Sequence, residues 1–203
     1  MRSRITRLSL VALSTLLLSV TASADTWTID TNHSHVGFSV RHLLTPVPGS
    51  FGDFSGLIVY NPENPTTSSV EVTVEAASID TANQRRDDHL RSADFFDVEQ
   101  HPTLTFVSKK VAPLGESSLA VTGDLTIRGV TREVTVPIEV LGVLGDKAGF
   151  QTEFTVDRKE YGVLWNRALD QGGTLLGDEV RVVLTIEADR AKPAEPAEAA
   201  SGD

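Results

Sequence analysis

The segment SVEVTVEA, residues 69–76, gives the clearest indication of how this chain folds. Val70, Val72 and Val74 alternate with polar residues, which is the period expected of a β-strand with one buried face. The alternation returns in seven further segments. They are VGFSV (36–40), FSGLIVY (54–60), TLTFV (103–107), LAVTGDLTI (119–127), VTVPIEV (134–140), FQTEFTV (150–156) and VRVVLTIEA (180–188).

These eight segments predict an all-β fold with antiparallel strands, closed as a barrel or stacked as a sandwich. Turn signals such as Asn61-Pro62, Gly115-Glu116 and Gly145-Asp146 separate the segments. Strands do not alternate with helices, and no glycine-rich phosphate loop is present, so the Rossmann and P-loop classes are excluded. Pro137 lies inside a strand pattern, which predicts that this strand is at an edge or has a β-bulge.

The inward-facing residues of these strands are compatible with two interiors. An eight-stranded barrel is wide enough to be filled by its own side chains or to hold one small ligand. Valine, isoleucine, leucine and phenylalanine occupy the inward positions in both cases. The pattern therefore leaves a solid core and an apolar tunnel open.

The two ends of the chain differ in composition from the strands. Residues 1–24 combine three arginines, an apolar run of about 13 residues and the small residues Ala22 and Ala24, which predicts a cleaved signal peptide. Residues 191–203 are rich in alanine, proline and glutamate and predict a disordered acidic tail. One barrel domain is expected over residues 25–190, in a protein exported to the periplasm.

Charge and cysteine content limit the partners. The formal net charge is −10 at pH 7, and removal of the three arginines of the signal peptide would change it to −13. Such a protein repels nucleic acid and anionic surfaces, so nucleic acid is not an expected partner. Stable membrane insertion is not expected either, because the apolar run is shorter than the roughly 20 residues that span a bilayer. The chain has no cysteine, so disulfides cannot stabilise the domain.

The segment DDHLRSADFFDVEQHP, residues 87–102 and here called the clip, concentrates polar and aromatic residues that are spread out elsewhere. The preceding residues predict a short helix, with Thr81 as its N-cap and Gln84 completing a capping box. Such a short helix is not stable alone in water, so it must dock on the barrel. Leu90, Phe95 and Phe96 are the expected anchors.

Two chemical alternatives are weak. A metal site at His33 and His35 lacks the further ligands and the spacing that zinc sites use. A hydrolase built from His89, Ser92 and Asp94 lacks a nucleophile elbow, and residues so close in sequence do not form a triad across the fold. The sequence therefore predicts neither an enzyme nor a metal site.

Four blocks of the sequence resemble the YceI-like family of bacterial periplasmic, polyisoprenoid-binding proteins. The blocks are IDTNHSHVGFSVRHL (29–43), GSFGDFSG (49–56), RRDDHLRSADFFDVEQHP (85–102) and TGDLTIRGVTREVTVP (122–137). The resemblance implies an eight-stranded, lipocalin-like antiparallel barrel with a short helical insertion. It also implies a carrier that holds the tail of an isoprenoid or similar lipid and needs no other cofactor; such carriers are often homodimers. The alternative of a structural or stress-related barrel with a filled core shares the same fold.

Specific residues follow from the strand pattern combined with this resemblance. We expect the polar end of the ligand at Arg41 and His42, near the end of their strand. The expected contacts with the apolar tail are Phe38, Val40, Phe54, Val72, Phe106, Phe154 and Trp165. The residues expected to hold the clip against the barrel are His89, Leu90, Arg91, Asp94, Phe95 and Phe96.

Overall fold

The computed structural model describes residues 24–170 and 172–191, which form eleven β-strands and one α-helix. The predicted signal peptide and acidic tail lie outside these residues, except for Ala24 and Ala191. The strands are β1 (Asp25–Ile29), β2 (His35–His42), β3 (Thr45–Phe51), β4 (Phe54–Tyr60), β5 (Ser69–Glu75), β6 (Ile79–Asp80), β7 (Thr103–Pro113), β8 (Ser118–Ile127), β9 (Val130–Leu144), β10 (Lys147–Asp157) and β11 (Leu176–Arg190), and the helix is α1 (Gln84–Arg91).

Eight of these strands close into an antiparallel barrel. Their order is β1-β4-β5-β7-β8-β9-β10-β11, and β1 pairs with β11 to complete the ring. The predicted eight-stranded barrel with a short helical insertion is therefore confirmed. Strands β1 and β2 lie end to end along β11, because β1 pairs with its last residues and β2 with its first. β3 pairs with β2, and β6 pairs with the end of β3.

The junction of β9 and β10 explains how Pro137 is accommodated. The register shifts between Gly149 and Phe150, which leaves Leu141 as an extra residue in β9. The ladder then ends at the pair Gln151 and Glu139, so Pro137 lies just beyond it. Pro137 pairs with Ala120 of β8, and on its other side, where the β9–β10 ladder has ended, no backbone donor is required of it. Of the two predicted alternatives, an edge strand or a bulge, the strand has a bulge, which lies at Leu141, four residues after Pro137.

Helix α1 begins two residues later than the capping pattern predicted. The side chain of Asn83 accepts a hydrogen bond from the Arg86 backbone N–H, so Asn83 is the N-cap and the assignment of Thr81 is wrong. The chain turns at Ala82, which has a φ of 57°, and this turn places Thr81 outside the helix. Among the described residues, no helix is both long and apolar enough to cross a membrane.

Buried residues form three clusters around the barrel wall. The side chains that point to the centre of the barrel are mostly half-buried. One cluster lies beside the clip, and two lie toward the β9–β10 hairpin. Their members are Ile29, Val36, Phe51, Phe54, Val74 and Ile79 in the first, Trp27, Ala148, Phe150 and Ala188 in the second, and Val111, Leu119, Val121 and Val136 in the third.

Candidate functional site

The barrel encloses a cavity of about 540 Å³, lined mainly by aliphatic and aromatic side chains. That volume lies within the range of sites that bind small organic ligands. The inward-facing residues therefore do not meet at the centre of the barrel. The interpretation of the interior as a filled core is wrong for the described part of the chain.

Six of the seven residues expected to contact an apolar tail lie in the wall of this cavity. They are Phe38, Val40, Val72, Phe106, Phe154 and Trp165. All six are only partly buried, because the cavity leaves one side of each without a packing partner. Strand alternation accounts for five of them, and Trp165 reaches the wall from the loop before β11.

Phe54 is not in the cavity wall, which corrects its assignment. The ring is 5% exposed and packs in the cluster that contains Ile29, Val36 and Phe51. Phe54 is the first residue of β4 and pairs with Val74 near the end of β5. The alternation correctly turned this ring inward, but its position along the barrel places it in solid core.

The two residues expected at the polar end of the ligand lie on opposite sides of the barrel wall. His42 lies in the cavity wall. Arg41 is exposed, and its Nη1 donates to the Leu43 carbonyl at 2.6 Å. Successive residues of a strand face opposite sides, so these neighbours cannot both reach the interior. Only His42 contacts the cavity, which corrects the assignment of Arg41.

The cavity meets solvent where β2 and β3 approach the start of α1. Asn83 and Arg85 belong to the cavity wall and are exposed, while His42 and Val47 complete the wall on the facing strands. We call these four residues the mouth. The rest of the wall is mostly apolar, although Ser69 and Gln151 are exposed wall residues in the other half of the barrel.

Arg158 is a buried cation in the cavity wall that the sequence interpretation missed. Its Nε donates to the Gly177 carbonyl at 2.9 Å, and its Nη1 donates to the carbonyls of Val163 and Trp165 at 2.7 and 2.9 Å. Burial lowers the pKa of Arg158, while the Asp178 carboxylate opposes that change. These bonds hold the loop that carries Trp165. The only sequence signal is an arginine directly after a strand pattern.

The clip closes one part of the cavity with aromatic rings. His89, Phe95 and Trp165 contact one another, with ring centroids 5.0 to 5.3 Å apart. Phe96 packs edge-on against Phe51 at 5.8 Å, and Leu90 packs against the same core cluster. All four apolar or aromatic residues expected from the clip are in the cavity wall. They are His89, Leu90, Phe95 and Phe96.

Arg91 and Asp94 lie outside the cavity wall and contact other protein groups. Arg91 donates to the carbonyls of Ala77 and Ile79, both at 2.8 Å, and pairs with Asp88. Asp94 lies 2.8 Å from Nε2 of His89. Charge-assisted bonds of this kind fasten α1 to the chain before it.

The residues of the hydrolase alternative do not form a catalytic triad. The Ser92 hydroxyl donates to the His89 backbone carbonyl at 2.7 Å and not to the imidazole. Asp94 instead occupies Nε2 of His89, at 2.8 Å. A triad needs the serine hydroxyl on the imidazole nitrogen that will remove its proton.

Among the described residues, Asp30, His33 and Glu187 form a cluster that resembles a metal site, because their potential ligand atoms lie within 4.8 Å of one another. Lys147 Nζ bonds Asp30 at 2.9 Å and Glu187 at 3.0 Å, so an ammonium group already balances these carboxylates. The hydrogen bonds from His33 and Lys147 hold the pKa of Asp30 well below its usual range. This cluster ties the β1–β2 loop to β10 and β11.

Relatives of known sequence match nearly the whole described region. A family model described as a YceI-like domain matches residues 27–188. A UPF0312 protein of Pectobacterium carotovorum is 36% identical over 195 residues, which cover 92% of this chain and 98% of the relative. A UPF0312 protein of Staphylococcus aureus is 35% identical over 79% of this chain and 95% of the relative.

Solved structures agree with that assignment. BcnA of Burkholderia cenocepacia has a TM-score of 0.73 at 29% identity and covers 78% of this chain and 98% of its own. A polyisoprenoid binding domain from Saccharophagus degradans has a TM-score of 0.66 at 14% identity, which shows the fold alone; the match covers 83% of this chain and all of that one. Because the family model spans most of the sequence, the chain belongs to the family of proteins with a YceI-like domain.

Proposed function

We propose that this protein is a periplasmic carrier that holds the apolar tail of an isoprenoid or a similar amphipathic lipid inside its barrel. The observation that supports the proposal is the cavity, whose wall is mostly apolar and whose basic groups lie at the end that contains the mouth. Those groups are His42, Arg85, Arg86, His89 and Arg158, and the uncharged Asn83 also belongs to the mouth. An amphipathic lipid would place its tail along the barrel and its polar group near the mouth.

The size of the cavity limits how much of a lipid it encloses. The cavity volume of about 540 Å³ is that of a site for a small organic ligand. A long isoprenoid chain would therefore widen the barrel or extend through the mouth. A membrane interior is as apolar as this cavity, so the lipid can exchange between them at little net cost in free energy.

The relatives support a binding protein over an enzyme. The Saccharophagus degradans structure is described as a polyisoprenoid binding domain, and its barrel superimposes on this one. His89, Ser92 and Asp94 are not arranged as a catalytic triad. In the cluster of Asp30, His33 and Glu187, Lys147 is already bonded to Asp30. Export to the periplasm rests on the composition of residues 1–24.

The proposal is tested by lipid extraction and native mass spectrometry of freshly purified protein. We expect a bound lipid in the wild type and none in Phe106→Asp, because a carboxylate in the cavity wall would have to lose its hydration to admit a tail. Arg91→Ala should retain most of the lipid, since Arg91 contacts only protein groups. Phe106→Leu is the matched control for loss of the ring without gain of charge.

Two outcomes would contradict the proposal. Purified wild-type protein that releases no lipid and takes up no prenol from detergent would exclude the carrier role. Greater loss of lipid in Arg91→Ala than in Phe106→Asp would show that Arg91 contacts the ligand and does not serve only to fasten the clip. The same native mass spectra report whether the chain forms the homodimer that the family resemblance implies.

A further inference from the structure

Four leucines, three of them exposed, lie on two loops beside the mouth. Leu44 is 94% exposed and Leu43 is 42% exposed in the turn between β2 and β3. Leu164, which is 64% exposed, and Leu169 lie on the loop before β11. We call these four residues the leucine rim.

The two loops are joined to each other and to the cavity wall. The Leu43 N–H donates to the Leu175 carbonyl at 2.8 Å, and the Leu175 N–H donates to the Arg167 carbonyl at 2.9 Å. Leu175 and Leu176 lie in the cavity wall, and Leu176 pairs with His42 of the mouth. The leucine rim is therefore continuous with the site proposed for the ligand.

Basic side chains surround this apolar edge. Arg41, Arg85 and Arg167 are all exposed, and Arg85 belongs to the mouth itself. Asp178, just after the start of β11, is bonded by Lys159 at 2.7 Å and lies 3.5 Å from Arg158, so its charge is balanced. Asp170 is the acidic residue of the loop before β11. Arginine around exposed leucine is the pattern of a surface that inserts shallowly among anionic headgroups.

We propose that the leucine rim docks this protein on the surface of a bilayer that contains anionic lipid, with the mouth facing the membrane. The inference rests on the proposed function, because a lipid that leaves a bilayer for the cavity must find the mouth at the bilayer surface. The leucine side chains enter the interface, and the surrounding guanidinium groups contact lipid phosphates. The ligand then passes between membrane and cavity without crossing water.

The overall negative charge predicts repulsion from anionic surfaces, so docking through the rim requires that the local charge outweigh the net charge. Charges separated by more than about 8 Å are largely screened at physiological ionic strength. The sign of the charge near the rim therefore matters more than the net value of −10. That net charge instead disfavours docking through the rest of the surface.

The opposite end of the barrel provides a matched comparison. The β9–β10 hairpin also presents leucine at its tip, with Leu144 85% exposed. Its surroundings are mainly acidic, because the cations beside the turn, Lys147 and Arg190, are each bonded by two or more carboxylates. Two hairpin-tip leucines of nearly equal exposure thus lie in opposite electrostatic surroundings. Only the one beside the mouth suits an anionic bilayer.

The test is flotation of the protein with vesicles of phosphatidylethanolamine and phosphatidylglycerol. We expect binding that weakens with added salt and is absent for vesicles of phosphatidylcholine alone. Leu44→Ser should bind at least about tenfold more weakly, since burial of one leucine is worth at least that factor. Leu144→Ser should bind as the wild type does. Both side chains are exposed, so neither change threatens folding.

A separate measurement distinguishes failure of docking from failure of the carrier function. Uptake of a fluorescent prenol from detergent micelles needs the cavity but not a membrane, so Leu44→Ser should equal the wild type in that assay and be slower only with loaded vesicles. Equal vesicle binding by Leu44→Ser and the wild type would overturn the docking inference. Loss of binding in Leu144→Ser alone, or a loss in Leu44→Ser that tracks dissociation of a dimer, would also overturn it.

Discussion

At the scale of single residues, Asp87 has the contacts that position the clip. Its carboxylate is 6% exposed and accepts from the Thr81 N–H at 2.9 Å and from the Thr81 hydroxyl at 2.5 Å. Arg86 then donates to the same hydroxyl and to the Thr81 carbonyl. A buried carboxylate with several donors orients everything bonded to it, so the first turn of α1 is held to the chain that precedes it.

Asp87→Ala should therefore lower the free energy of unfolding by about 2 to 3 kcal/mol, because it leaves the Thr81 groups unsatisfied in a buried place. Urea denaturation followed by circular dichroism measures this loss. Asp88→Ala is the adjacent control, since Asp88 is exposed and pairs only with Arg91, and it should cost less than about 0.5 kcal/mol. Equal costs for the two variants would contradict the role given to Asp87.

At the scale of elements, the β7–β8 hairpin has a bulge opposite a glycine, next to the Phe106 ring of the cavity wall. Its register shifts between Ser108 and Lys110, opposite Gly123. A Cβ on Gly123 would lie 2.4 Å from the Val107 carbonyl oxygen and 2.8 Å from Cζ of Phe106. The missing side chain thus lets the two strands approach and lets the Phe106 ring lie along the wall.

Gly123→Ala should destabilise the protein by about 1 to 3 kcal/mol, since the backbone of β7 must move to admit a methyl group. Gly115→Ala, at the turn of the same hairpin, is the control because nothing lies within 4 Å of its Cβ position. Its effect should stay within about 0.5 kcal/mol. The midpoints of urea denaturation compare the variants, and a neutral Gly123→Ala would disprove the close packing of the bulge.

At the scale of the whole molecule, a hollow barrel gives up part of the stability that a packed interior would supply. The half-buried rings around the cavity lack partners on one side, and a void leaves those dispersion contacts unmade. The three buried clusters and the closed ring of strands must hold the fold in the empty state. A lipid that fills the cavity supplies the missing contacts.

Bound ligand should therefore raise the stability of the protein through mass action. At a free prenol concentration 100 times Kd, the expected gain is about 2.7 kcal/mol. Thermal denaturation of delipidated protein over a series of prenols of increasing length measures this gain and shows which length fills the cavity best. Phe106→Asp should show no increase with any prenol. An equal rise in that variant would place the binding outside the barrel.

Local pattern accounts for much of this fold. Alternation with a period of two depends only on the pleat of a strand, so it correctly turned Phe38, Val72 and Phe106 inward before any pairing was known. The same local logic identified the bulge near Pro137 and the docking of the clip through Leu90, Phe95 and Phe96. The family resemblance, and not the pattern, favoured a hollow interior.

Properties that depend on distant parts of the chain could not be read in this way. Position along the barrel follows from strand register and ring closure, which is why Phe54 lies in solid core and Arg158 lies in the cavity wall. The left-handed turn at Ala82 moved the N-cap to Asn83. Whether inward side chains meet depends on the diameter of the closed barrel, and no single strand contains that information.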